Sequence, residues 1–330
     1  MRLAWGLRVA AVAAAGLSLA ILPFLVGDYR AFELGRMGIF FIAILGLNLL
    51  TGYTGQVSIG HGAFMAVGGY TSAILATRCG VPDYLTIPLG GLTAGLAGLL
   101  FGIPALRLRG LYLALATFGV AVAMPSIAKH DRLEGLTKGT TGINLPELHS
   151  GTWLYGVTWA IAAALFLLAF AIVNSRLGRA FRALRDSEVA ASSMGVNPAA
   201  YKVAAFGISS FYAGVAGSLY ALSNAYVNPD VYFVSLSLFL LIGAVIGGLG
   251  SLTGVIAGAA FVQFVPPNAS SILDAVSPFA VDSRAPGVPS VILGAALVLV
   301  VLLAPTGAGG LLRRISAPLM GRLYTRPGGG

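Results

Sequence analysis

The chain has 330 residues, 57% hydrophobic and 9% charged, with a mean hydropathy of +0.89, which excludes a water-soluble domain and points to an integral membrane protein. A net charge of +9 would suggest nucleic acid in a soluble protein, but in a membrane chain it reads as positive-inside topology, with the bilayer and no nucleic acid as partner. The single Cys79 excludes an internal disulfide, and no Cys/His cluster suggests a metal site.

The first apolar run, 8–26, follows Arg2 and Arg8. It lacks a small-x-small cleavage site before Gly27 and Asp28, so it reads as an uncleaved first helix. Further apolar segments follow at about 37–51, 59–77, 85–104, 110–128, 152–173, 203–223, 235–249, 251–265 and 287–304. Several approach the ~20 residues that a bilayer crossing requires. Four are shorter and fall into two pairs, 37–51 with 59–77 and 235–249 with 251–265. Glycine-rich turns join them, GYTGQVSIG in the first pair and GGLGSLTG in the second. Each pair is either a hairpin of short helices or a re-entrant element buried among its neighbours. The helix-breaking glycines would be Gly52, Gly55 and Gly60 in one turn, Gly248 and Gly250 in the other. Two halves with one hydropathy plan are common in transporters, whose path lies at the repeat interface.

Polar groups at membrane depth are few. Asn48 lies within an apolar helix, Gln56, Ser58 and His61 cluster at the first break, and Thr117 lies in the fifth segment. These five are candidates for a translocation path. The competing reading is that they satisfy the turn's own hydrogen bonds, and for His61 a packing role is favoured. His130 and His149, in a loop at about 129–151, lack the spacing of a ligand set and read as surface residues.

At 174–202 the chain turns polar and basic: NSRLGRAFRALRDSEVAASSMGVNPAAYK. At about 100° per residue, Arg176, Arg179, Arg182 and Arg185 sweep one side of a helix, and Leu177, Phe181 and Leu184 occupy the other. Asp186 follows Arg182 at the spacing of an exposed ion pair. Gly195, Asn197 and Pro198 are stop signals. Such a helix can lie on anionic headgroups, or dock in a groove on a cytosolic partner with its apolar face as the contact.

Ten spans with a cytosolic N-terminus place thirteen of the twenty basic residues and two of the eleven acids inside, so both termini are expected in the cytosol. Eight spans keep the same parity. The loops at about 129–151 and 266–286 would then be external, and the tail at about 315–330 poorly ordered. No HExxH, GxSxG or intramembrane acid–base pair suggests an enzyme, and no GxxxxGK[ST] loop suggests ATP hydrolysis by this chain. An ion-coupled secondary transporter would place an acid or charged pair well inside a span, and none is found in these segments.

Four motifs carry a resemblance. Glu188, Ala190, Ala191 and Gly195 in EVAASSMG resemble the EAA-xxx-G loop of ABC importer permeases. GLNLLTGYTGQVSIGHGAFMAVGGYTSAIL (46–75), PALRLRGLYLALATFG (104–119), SRLGRAFRALRDSEVAASSMGV (175–196) and GGLGSLTGVIAGA (247–259) resemble, in order and spacing, the LivM-like subunit of branched-chain amino acid ABC importers. The resemblance implies one all-α transmembrane permease domain over 1–330, with the vitamin B12-type (type II) importer fold. It implies a coupling helix at about 176–197, whose Arg179, Arg182, Asp186, Glu188, Ala191 and Gly195 serve the ATPase contact. It also implies a homologous second permease, two ATP-binding cassette subunits holding ATP and Mg, and an extracytoplasmic solute-binding protein that meets the external loops. The chain itself would bind no cofactor. The setting would be the cytoplasmic (inner) membrane of a prokaryote, and the solute Leu, Ile or Val; another amino acid, an amide, urea or a small aromatic acid stays open.

Overall fold

The computed structural model describes residues 27–108, 110–146 and 149–268, with the isolated positions 294, 298, 307, 308 and 310. The expected span 8–26, nearly all of 287–304 and of the loop 266–286, and the tail 315–330 lie outside the described residues. Within them, six helices are long and apolar enough to cross a membrane by length and composition.

The first is α1, Asp28–Leu47, which runs on as a π-helix, Asn48–Tyr53, to make 26 residues. This corrects the expectation of a short segment at 37–51. The charged stretch 28–36 looks like loop, yet Ala31, Gly35 and Gly38 bury one stripe of it. Gly35 lies against Leu154 and Tyr155, and the Trp159 indole donates to the Leu34 carbonyl at 3.1 Å. The extension brings Arg30, Glu33 and Arg36 into a span helix, where sequence reading found no charge.

Helix α2, His61–Cys79, is followed by α3, Asp83–Ala105, and α4, Leu111–Ala128. A short α5, Asp131–Thr137, and the strand β1, Ile143–Asn144, lead to α6, Gly151–Asn174. Next come α7, Arg176–Asp186, α8, Glu188–Ser193, and the long α9, Pro198–Asn224. Strand β2, Tyr226–Val227, pairs antiparallel with β1 through Ile143↔Val227 and Asn144↔Tyr226. Helices α10, Val234–Gly247, and α11, Val255–Phe264, follow.

Helix α1 is the central member. Of its most apolar window 83% is buried, against 28% for α6, which therefore stands at the periphery. Helices α2, α3 and α9 pack backbone to backbone through small residues. A β-carbon at Gly68 would run into the Gly214 carbonyl, and one at Gly214 into Gly90. The Ser218 hydroxyl seals the same crossing, lying 3.1 Å from the Gly68 carbonyl and 3.0 Å from that of Gly214.

The 129–151 loop is a folded cap rather than an open connection. Lys129 pairs with Asp230 at 2.7 Å. His149 is not the surface residue its sequence context suggests: it lies 2.6 Å from Asp83 and stacks on Trp153 at 3.7 Å.

Replacing Gly214 by Val should overpack the α2–α3–α9 crossing and cost about 1–3 kcal/mol or more. Gly119→Ala, whose added β-carbon meets nothing within 4 Å, should be neutral or better. Melting temperatures of the two variants in detergent check this. An unshifted Gly214→Val would show that the crossing can relax.

Candidate coupling and translocation site

The site grows from the C-terminal end of α1 and the π-helix that continues it. The π-turn aims the fully buried Asn48 side chain at the second glycine-rich turn. Its Oδ1 accepts from the Gly250 N–H at 2.8 Å, and its Nδ2 donates to the Ser251 carbonyl at 2.9 Å. A carboxamide carries both a donor and an acceptor, so one side chain can stand in for the ladder that a non-helical turn lacks. Gly52 permits the approach, because a β-carbon there would strike the Asn48 carboxamide and the Gly250 nitrogen. Gly52 lies inside the π-helix, so it is a contact glycine, not the break expected.

The break comes at Gly55, where φ is +72°, a left-handed conformation that an L side chain resists. From there the chain climbs back beside α1 without helix. His61, at the start of α2, has Nε2 2.9 Å from the Ala43 carbonyl. Ala43 stands ten residues before Tyr53, about 15 Å along a helix. The first turn is therefore a re-entrant extended stretch joining two long helices, not a hairpin of short ones. Its backbone is paired piecemeal. Thr51 Oγ1 donates to the Gln56 carbonyl at 3.1 Å, and the Ile59 N–H donates to Thr117 Oγ1 at 3.0 Å. The Gly62 N–H donates to Ser237 Oγ at 2.9 Å. Gln56 Nε2 donates to Thr54 Oγ1 at 3.0 Å. Ser58 is the exception, its hydroxyl buried without a partner.

All five path candidates are thus buried, and four of them are engaged by the protein's own groups. Along the stretch, Gln56, Ser58 and Gly60 turn inward while Gly55 and Val57 turn outward. In the second turn, Gly248 caps α10 at φ +99° and Gly250 sits at +80°, both at the expected break.

The polar insertion docks on this junction. Ser175 caps α7 by accepting from the Leu177 N–H at 3.1 Å. Gly178, Ala180, Phe181 and Leu184 of α7 are buried, and Phe181 meets Tyr201 edge-on at 6.4 Å. The apolar face of α7 therefore packs on the bundle, which corrects the expectation that Phe181 and Leu184 meet a partner. Arg182 donates to the Val173 carbonyl at 3.2 Å, and no ion pair with Asp186 forms among the described residues. Arg185 donates to the Gly52 carbonyl at 2.6 Å, beside Gly55 and Gly250.

The expected single helix is broken at Ser187. Its extended backbone ends α7, and its hydroxyl accepts from the Ala190 N–H at 3.2 Å to start α8. Glu188 pairs with Lys202 at the foot of α9. Ala191 is buried, against the expectation that it faces the ATPase, whereas Val189 and Met194 are 77% and 85% exposed. Arg176, Arg179 and Asp186 are exposed as well. Gly195, at φ +82°, closes α8, with the Val196 N–H donating to the Ala191 carbonyl at 3.0 Å. Asn197 then caps α9 through Ala199 and Ala200. A polar cleft of about 250 Å³ is lined by Thr54, Gly55, Gln56, Arg185, Glu188 and Lys202.

Three features escaped sequence reading: the Arg185 bond to Gly52, the Lys202 pairing with Glu188, and the Ser237 cap on α2. Among four arginines at helical spacing, nothing marks the one that reaches a backbone carbonyl more than a hundred residues away. Lys202 at least stands out, as a cation beginning an apolar helix.

A family model described as "Branched-chain amino acid transport system / permease component" matches residues 30–302. The high-affinity branched-chain amino acid transport system permease protein LivM of Salmonella typhimurium is 33% identical over 267 residues, 72% of this chain and 63% of that protein. LivM of Escherichia coli is 34% identical over 250 residues, 67% of this chain and 59% of that protein. The permease protein LivH of Salmonella typhimurium is 24% identical over 290 residues, 80% of this chain and 88% of its own length. The chain spans about six-tenths of the length of the LivM relatives that it matches. No solved structure matches.

Asn48→Ala should strand the Gly250 N–H and the Ser251 carbonyl at membrane depth, at about 1–3 kcal/mol for each group. Thermal unfolding in detergent should show a lower midpoint. An unchanged midpoint would mean that the junction does not hold the two turns together.

Proposed function

The chain belongs to the branched-chain amino acid transport permease family, and on that premise we propose that it is one of two membrane-spanning subunits of an ABC importer for Leu, Ile and Val. Its complement would be a homologous permease, two ATP-binding cassette subunits that hydrolyse ATP with Mg, and an external solute-binding protein. We place it in the cytoplasmic membrane of a prokaryote, with ten spans in the vitamin B12-type arrangement and both termini in the cytosol. The six described span helices, the helices α2 and α11, and the apolar runs at 8–26 and 287–304 are compatible with that count.

The observation that carries the reading is the exposed helix α8, wired on its inner side to the membrane breaks. Val189 and Met194 offer an apolar contact outward, with Arg176, Arg179 and Asp186 around it. Inward, Glu188 grips Lys202 of α9, and Arg185 grips the Gly52 carbonyl one turn beyond Asn48. A displacement of α8 by nucleotide-driven closure of the ATPase pair would reach α9 through Glu188. It would reach both glycine-rich turns through Arg185 and Asn48. Ser187 ends α7, so α7 and α8 do not form one rigid lever; the push reaches Arg185, in the last turn of α7, across that junction. The two states differ in free energy only if the nucleotide states bind them differently.

Arg36 does not favour ion coupling, although it lies in a span helix. A guanidinium stays protonated and cannot carry a proton across.

Arg185→Ala removes a charge-assisted hydrogen bond of about 1.5–3 kcal/mol. In proteoliposomes holding the full complex with binding protein, labelled-leucine uptake per ATP hydrolysed should fall about tenfold to a hundredfold while hydrolysis persists. Normal coupling in this variant would remove Arg185 from the relay. Met194→Lys should instead prevent the ATPase subunits from co-purifying. If the wild-type complex hydrolyses ATP and leaves leucine outside, the machine stands and the solute is another.

A further inference from the structure

Arg36 stands eight residues into α1, about 12 Å along the helix from Asp28. It is half-buried at membrane depth, and no carboxylate pairs with it among the described residues. A guanidinium has five N–H donors. Here Nη2 makes one long bond, 3.4 Å to the Tyr220 hydroxyl, and Nε is buried without any partner. The rings of Tyr220 and Phe32 lie under the cation, its carbon 5.5 and 6.0 Å from their centroids. Such rings orient a cation but leave its in-plane donors free.

Arg36 borders a pocket of about 240 Å³. Phe40, Phe239 and Leu236 give it apolar walls, and Ser235 and Gln263 supply polar edges. The pocket lies at the end of the bundle that carries the β1–β2 pair, since Tyr220 is one turn from the end of α9 and β2 follows. An uncompensated charge at membrane depth is expensive and, as a rule, serves a ligand.

We propose that this pocket is a transient holding site on the outer side of the membrane for a small apolar solute bearing a carboxylate. The Arg36 fork binds the carboxylate, and the aromatic walls take the aliphatic part. The proposal rests on the importer reading for the solute class and deepens it, by giving the permease its own contact with the amino acid. Planar guanidinium–carboxylate pairing is bidentate and geometrically selective. Weak occupancy suits the role, because a tightly held solute would not move on. Phosphate on an anionic lipid headgroup would satisfy the same donors, so the test separates a free solute from a lipid.

The experiment uses the assembled complex in vesicles of uncharged lipid, with Cys79→Ser and Ser235→Cys introduced in this chain. A membrane-impermeant thiol reagent is added from outside, with leucine, isovalerate or isoamylamine as probe. Leucine and isovalerate should slow labelling of the new cysteine at least threefold, and isoamylamine should not. Arg36→Gln should abolish the slowing, and Arg36→Lys should keep part of it. In uptake assays, Arg36→Gln should lower leucine transport severalfold. Equal slowing by all three probes, equal slowing in Arg36→Gln, or slowing produced only by adding anionic lipid would each overturn the proposal. The labelling readout does not depend on transport. Protection without leucine uptake by the wild-type complex would therefore fault the assignment of leucine as the transported solute and leave the pocket standing. Uptake without protection would do the reverse.

Discussion

A backbone amide inside a bilayer has no water to turn to, and that constraint organises the molecule. Among the described residues, the chain leaves helical geometry between apolar helices in two places, after Tyr53 and after Gly247. Each departure frees N–H and C=O groups that must be met by something else. Asn48 meets those of the second turn, and Thr51, Thr117 and Ser237 meet those of the first. The polar residues scattered through the apolar sequence are for the most part consumed in this work. What remains to face a solute is mainly backbone and apolar side chain, with the Ser58 hydroxyl the unmatched group of the first turn.

The same junction makes the breaks responsive. Because the two turns touch at Gly52 and Gly250, a push on one is felt by the other. Arg185 enters where they meet, and Glu188 holds the adjoining foot of α9. Close helix crossings at Gly68, Gly90 and Gly214 hold α2, α3 and α9 together. Stiff helices with small-residue contacts transmit displacement, and irregular stretches absorb it.

Much of this was legible in the residues. Composition announces the membrane, and the glycine turns announce the breaks at Gly55, Gly60, Gly248 and Gly250. Gly195, Asn197 and Pro198 announce the end of the polar insertion. The errors share one origin. Hydropathy read 28–36 as loop because it counts charge and not the direction a side chain faces. Helical periodicity gave α7 an outward apolar face, because it finds that face without saying what covers it. Periodicity also ran through Ser187, since a serine that caps a new helix looks like any polar residue within an old one.

Local rules act over a few residues, so sequence alone determined the class of molecule, most of the helix ends, the glycine breaks and the family motifs. The partner of each polar group lies elsewhere in the chain, and only the tertiary structure decided it. Asn48 is bound to residues about two hundred positions away, and Arg185 to one more than a hundred away. Such pairs are selected by the free energy of leaving a polar group unpaired in hydrocarbon. That free energy depends on where the packed helices place each group, a quantity that no window of sequence contains.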